Sequence, residues 1–97
     1  MAKVVQTSGK RKRAIARATI KEGKGFIRIN RQLLTTYQPE LARMKIMEPL
    51  MLAGNDITAK IDINVDVFGG GFQSQTEASR LAIAKALVQF TKSKQLR

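Results

Sequence analysis

Apolar and polar positions alternate over two long stretches of this chain, and the alternation predicts strands. Between Arg13 and Lys21, Ala14, Ala16, Ala18 and Ile20 share one face, while Arg13, Arg17 and Lys21 share the other with Ile15 and Thr19. In "KIDINVDVF", Ile61, Ile63, Val65 and Val67 face one way and Lys60, Asp62, Asn64 and Asp66 the other, a strand with one wet face. The stretch "KEGKG" predicts a hairpin turn into a return strand, where Phe26, Arg28 and Asn30 alternate with Ile27 and Ile29. A further strand is expected over Lys3 to Thr7.

Elsewhere the period changes. Pro39 and Glu40 suit the first turn of a short helix, "PELARMKI". Pro49 breaks the pattern, and "EPLMLAGN" predicts a second short helix capped by Gly54 or Asn55. After three glycines, Ser74 and Glu77 have the spacing of a capping box and predict a helix from about Gln75 to Thr91. On that helix Ser79, Ala82, Ile83, Ala86, Leu87 and Phe90 form one broad stripe and Leu81 with Val88 a second. Two stripes predict contact with both a sheet and another helix. The ending "TKSKQLR" has no apolar period, so residues 92–97 are expected to fray.

Composition limits what these elements can build. A chain of 97 residues supports one domain with one core, and 43% hydrophobic residues without Trp make that core aliphatic, enough for an α+β or α/β domain. Cysteine and histidine are absent, which removes disulfides, thiolate and imidazole metal ligands, thiol nucleophiles and Ser-His pairs. No cofactor or metal is expected. No apolar run reaches the roughly 20 residues of a membrane span, and the N-terminus has no signal-peptide core, so the expectation is a cytoplasmic protein without a membrane partner.

Charge changes the picture most. The chain carries 18 basic against 7 acidic residues, a net charge of +11, and the excess is polarised: residues 1–31 hold ten basic side chains and a single acid, Glu22. Solubility alone asks for only about 2–8 charges and no such clustering. Four consecutive cations, Lys10, Arg11, Lys12 and Arg13, follow Gly9, and Arg17 continues along the strand. Adjacent cations repel, and a polyanion relieves that cost, which points to RNA or DNA. Apart from Phe90 on the apolar helix stripe, the few aromatics, Phe26, Tyr37, Phe68 and Phe72, are scattered in sequence, so backbone and shape recognition is expected rather than base stacking.

The glycines at 69–71 invite a nucleotide-site reading that fails on inspection. No lysine follows the last glycine as a P-loop needs, and Ser74 stands where a dinucleotide fingerprint needs its third glycine. Asp62, Asn64 and Asp66 imitate the start of a calcium loop, but Val67 occupies the position where glycine must bend the chain. What remains is a glycine turn leading into a helix N-terminus, which offers backbone donors to an anion or simply permits positive φ and close packing.

The segments "TSGKRKRAIARATI", "IRIN", "IMEPLMLAG" and "GGGFQSQTEASRLAIAKAL" together resemble small-subunit ribosomal protein nine in its archaeal-type form, over residues 3–91. The most specific part sets Ser74, Gln75, Ala78, Ala82, Ala84, Lys85 and Leu87 at fixed offsets after the glycines. The resemblance implies an α/β (α+β) two-layer sandwich like the second domain of ribosomal protein five: a four-stranded mixed sheet, helices on one face, and a left-handed βαβ crossover. It implies one rRNA-binding domain over residues 1–97, with residues 1–13 as a basic arm or strand. The partners it implies are the 3′ major (head) domain of small-subunit rRNA and neighbouring head proteins. Its motifs place RNA contacts on Gly9, Lys10, Arg11, Lys12, Arg17, Gly69, Gly70, Gly71 and Gln75, with Gln73 in the same turn; charge adds Arg13, Arg28, Arg31 and Arg80. Family members extend into a basic tail that reaches peptidyl-tRNA, and since this sequence stops at Arg97 no residue in it is expected to make that contact. A general RNA or DNA chaperone and a small phosphate-handling enzyme are the alternative functions.

Overall fold

The computed structural model describes residues 4–34, 40–54 and 58–95, with side chains to Thr91; Lys3, Tyr37, Pro39 and Asn55, which figure in the expectations above, lie outside the described residues. The elements in order are β1 (Val4–Arg11), β2 (Ala14–Glu22), β3 (Ile27–Ile29), β4 (Gln32–Leu33), α1 (Glu40–Ala53), β5 (Ile61–Phe68) and α2 (Phe72–Gln95). They form a two-layer α+β sandwich. Its mixed sheet has five strands in the order β1-β2-β5-β3-β4, one more than the four expected, because Gln32 and Leu33 fold back on β3 as a short edge strand.

Alternation sets the two faces of the sheet. Ala14, Ala16, Ala18 and Ile20 of β2 and Ile61, Ile63, Val65 and Val67 of β5 are buried beneath the helices, as their period of two predicts. The other face is open, carrying Lys10, Arg17, Lys21 and Asp66 in solvent. On α2 the broad stripe of Ser79, Ala82, Ile83, Ala86, Leu87 and Phe90 is buried, and the helix packs on β1, β2, β5 and α1. Leu81 and Val88 are only partly covered, at 39% and 61% exposed, Val88 lining the groove between α1 and α2.

Three local expectations are corrected. The stretch "KEGKG" does not close a β2–β3 hairpin, because β5 inserts between those strands, antiparallel to β2 and parallel to β3. β5 is the longer apolar strand, and its eight-residue ladder with β2 outweighs what the three residues of β3 could offer. Pro49 does not divide two helices, since α1 runs through it. Its missing N–H removes one ladder bond, but the buried stripe Ala42, Ile46 and Leu50 continues across it at a spacing of four. Gly54, at φ 94°, then caps α1 as expected. Finally, α2 starts at Phe72 rather than about Gln75 and continues past Thr91 to Gln95. The Gln75 N–H donates to Gly71 O (2.9 Å), so Gly71 occupies the N-cap position and Ser74 lies inside the helix instead of capping it.

Two polar side chains hold the inserted strand. The Asn30 N–H donates to Val65 O (2.7 Å), and its side-chain amide extends the ladder, accepting from Val67 N (2.9 Å) and donating to Val67 O (3.2 Å). The amide thus replaces a peptide group where β3 ends. At the opposite end the Asp62 carboxylate accepts from the N–H groups of Lys24 and Phe26, both at 3.0 Å. The Phe26 bond is the main reason its pKa lies below the ordinary 3.8, opposed by desolvation and aided by the Lys24 and Gly25 N–H groups and by Arg28.

A depressed carboxylate pKa stabilises the fold fully above the unfolded value and loses that contribution as pH falls through the folded one. Replacing Asp62→Asn is therefore expected to destabilise the protein at neutral pH, and the gap to the wild type should close below pH 3.8. Urea unfolding midpoints across the acid range measure this; a gap that stays constant to pH 2 would show that ionisation of Asp62 contributes nothing.

Candidate nucleic-acid interface

Strand directions gather three turns at one end of the sheet. β1 ends and β2 begins there, joined by Lys12 and Arg13; β3 ends there in Asn30 and Arg31; β5 ends there in the glycine turn. Five residues in these turns have positive φ: Lys12 (56°), Asn30 (51°), Arg31 (70°), Gly69 (79°) and Gly70 (65°). For Lys and Arg the left-handed region costs about 1–2 kcal/mol each, so tight turns are kept here with cations at their tips.

The three glycines differ physically. A Cβ on Gly69 would strike Arg13 O, and one on Gly70 would lie 3.0 Å from Ala14 N, so both are needed where the turn packs against the basic hairpin. A Cβ on Gly71 would meet nothing within 4 Å among the described residues, and Gly71 has no positive φ. Its side faces open space, at the N-cap of α2. Gln75 reaches back to donate from Nε2 to Gly69 O (3.1 Å), so it braces the turn from within.

The cations divide by engagement. Arg11 points to the helix side and bonds Glu77 Oε2 (2.9 Å). Arg80 bridges to Glu48 Oε1 on α1 (3.0 Å). Arg28 lies 5.5 Å from the centre of the Phe26 ring. Lys10, Lys12, Arg13, Arg17 and Arg31 form no salt bridge to an acid among the described residues and are exposed. The turn end therefore brings together Lys10, Lys12, Arg13, Arg31, Gly69, Gly70, Gly71 and Gln73, with Arg17 a short way down the open face. Arg80 lies apart from them, and Arg28 sits nearer the middle of the sheet. The exposed side of α1 is of another kind: Leu41, Met44, Met51 and Leu52 are more than half exposed, and the helix has two acids and two bases.

Exposed cations gathered in this way have the charge to neutralise phosphates, and the described residues contain no group of three or more His, Cys, Asp or Glu placed to hold a metal ion. A family model described as ribosomal protein S9/S16 matches residues 9–97. The chain belongs to the ribosomal protein S9/S16 family. Its members are structural proteins of the small ribosomal subunit, components of a ribonucleoprotein that bind rRNA, and not enzymes. That disposes of the phosphate-handling enzyme, and it gives the clustered cations a polyanion to meet. No helix of the described residues is long and apolar enough to cross a membrane.

Asn30 is the site residue that sequence reasoning missed. Periodicity places it on a strand, yet an Asn-Arg pair between "IRI" and "QLL" is a two-residue turn signal, since asparagine tolerates positive φ.

The turn geometry separates stability from binding. Gly69→Ala is expected to cost about 2 kcal/mol or more, and Gly71→Ala under about 1 kcal/mol, in chemical denaturation. Lys12→Gly relieves a left-handed lysine and should leave stability unchanged or raise it by up to about 1 kcal/mol while weakening RNA binding. A large stability loss in the Gly71 or Lys12 variants would contradict this division.

Proposed function

We propose that this chain is a structural rRNA-binding domain of the cytoplasmic small ribosomal subunit that docks on the 3′ major (head) domain of its rRNA, beside neighbouring head proteins. The observation that carries the reading is the convergence of the basic hairpin, the Asn30–Arg31 turn and the glycine turn at one end of the sheet. Lys10, Lys12, Arg13 and Arg17 neutralise phosphates and release counterions. Gly71, with no Cβ and nothing among the described residues where one would stand, lets an RNA backbone approach the N-terminus of α2, and Gln73 follows one residue into that helix. Arg11, Arg28, Arg31 and Arg80 extend the contact, Arg11 and Arg80 at the expense of their bridges to Glu77 and Glu48. The head domain itself follows from the family resemblance of "GKRKR" and "GGGFQSQ".

Salt-titrated binding tests this. Against a 3′ major domain fragment and a length-matched unrelated RNA, the expected preference is about a hundredfold, roughly 2.7 kcal/mol, and it should persist as salt rises. Lys12→Ala and Arg13→Ala should each lower the slope of log affinity against log salt by about 0.7–0.9. Equal affinities that collapse together would overturn the head-domain docking and leave this chain, taken alone, a general polyanion binder of the chaperone kind.

A further inference from the structure

The strand register of the open face sets Lys10, Ile15 and Phe68 in one row across β1, β2 and β5, and Ser8, Arg17 and Asp66 in the next row on that face. Ile61, Ile63, Val65 and Val67 occupy the buried face, so alternation turns Phe68 outward, where it is 50% exposed beside a half-buried Ile15. Phe68 also ends β5 immediately before Gly69, next to the Lys12–Arg13 turn. The fold thus supplies what the sequence seemed to lack: an aromatic ring beside an aliphatic side chain, with Arg17 and the Lys12–Arg13 turn close by and Asp66, paired in register with Arg17, as the one acid of the neighbouring row.

We propose that Phe68 is a stacking platform for an unpaired RNA base, with Arg17 and Lys10 on the β2 and β1 side of the ring and the Lys12–Arg13 turn beyond its end holding the neighbouring phosphates. Half-exposure of a large ring has no packing benefit within this chain, and phosphates alone would leave the ring in water. A base covers it, since every base has an apolar face, and such stacking is worth about 1–3 kcal/mol in single-strand binders. A duplex offers no free base face, so the platform selects a looped-out or single-stranded nucleotide. An apolar protein segment would cover the ring equally well, but Arg17 and Lys10 lie along one side of the position and the Lys12–Arg13 turn at its end, and the cores of protein interfaces are depleted of charge. This inference rests on the RNA-binding reading above and adds to it a contact with a base rather than with phosphate.

The chain has no tryptophan, so Phe68→Trp places a single indole at the platform. The expected result is quenching of its fluorescence by an unpaired oligonucleotide and not by a perfect duplex, with affinity for the rRNA fragment close to that of the wild type. Phe68→Leu, which keeps an apolar side chain but removes the π-face, should weaken fragment binding about tenfold while leaving the salt slope and the thermal midpoint unchanged. An unquenched indole, or full affinity in the leucine variant, overturns the platform. An indole that responds to an apolar protein of the small subunit and not to RNA assigns the ring to a protein partner and also overturns it. Loss of preference for the rRNA fragment in the wild type would instead defeat the ribosomal docking, and the oligonucleotide quench would still decide whether Phe68 stacks.

Discussion

Strand β2 and helix α2 pack together with small, fully buried residues on both sides, Ala14, Ala16 and Ala18 on the strand and Ala78, Ser79, Ala82 and Ala86 on the helix, and with so little side chain at this seam the helix lies close to the sheet. At Gly9 of β1 the approach is so close that a Cβ would lie 2.6 Å from Ala78 O and 2.7 Å from Ala82 N. Thr7 Oγ1 donates to Ala82 O at 2.7 Å in the same seam. Close packing of this kind leaves no room for adjustment, so a larger residue at Gly9 or Ala16 would lift the helix bodily. The seam accepts a polar cost for its geometry: Ser79 Oγ is buried without a partner among the described residues. Because α2 begins at the glycine turn, whatever fixes the helix on the sheet also fixes that turn against the Lys12–Arg13 hairpin. The interface is thus positioned by a contact about two turns of helix away from it.

The features legible in the sequence are those written in short periods. Alternation in β2 and β5 gave both faces of the sheet, because a strand with one wet face needs no knowledge of its neighbours. The stripe on α2 was equally plain. Strand order was not, because nothing local in "KEGKG" says that a strand forty residues later will come between β2 and β3. Pro49 misled because a proline's local cost is visible in sequence and the buried stripe that outweighs it is tertiary. The start of α2 misled for a related reason: Ser74 and Glu77 have capping spacing, but Gly71 is already held by the turn and takes the N-cap first.

The candidate site divides along the same line. Its cations were visible as composition, and the resemblance to a ribosomal family put most of them in one place. Their engagement was not visible. Arg11 and Arg80 carry the same charge as Lys12 and Arg13, but one strand position in Arg11 and two helical turns in Arg80 turn them toward acids of this chain. Likewise Phe68 looked isolated because sequence distance from Ile15 and Lys10 conceals a lateral row across three strands. Gln75, placed among the contacts by its motif, has a structural task as well, since its amide closes the loop on Gly69 O.

Strand β1 is an outer edge of the sheet, and an uncovered edge invites a second copy of the same strand. Here Lys85 Nζ donates to Ser8 O (3.2 Å), and Lys10 stands one residue beyond Gly9 on the same strand. A second chain arriving at this edge would bring its own lysines against them. While the protein is free, self-repulsion therefore guards it from sheet-to-sheet aggregation. An RNA bound at this end would neutralise much of that charge, so the safeguard would relax only once the chain is held in place by the partner that cancels it.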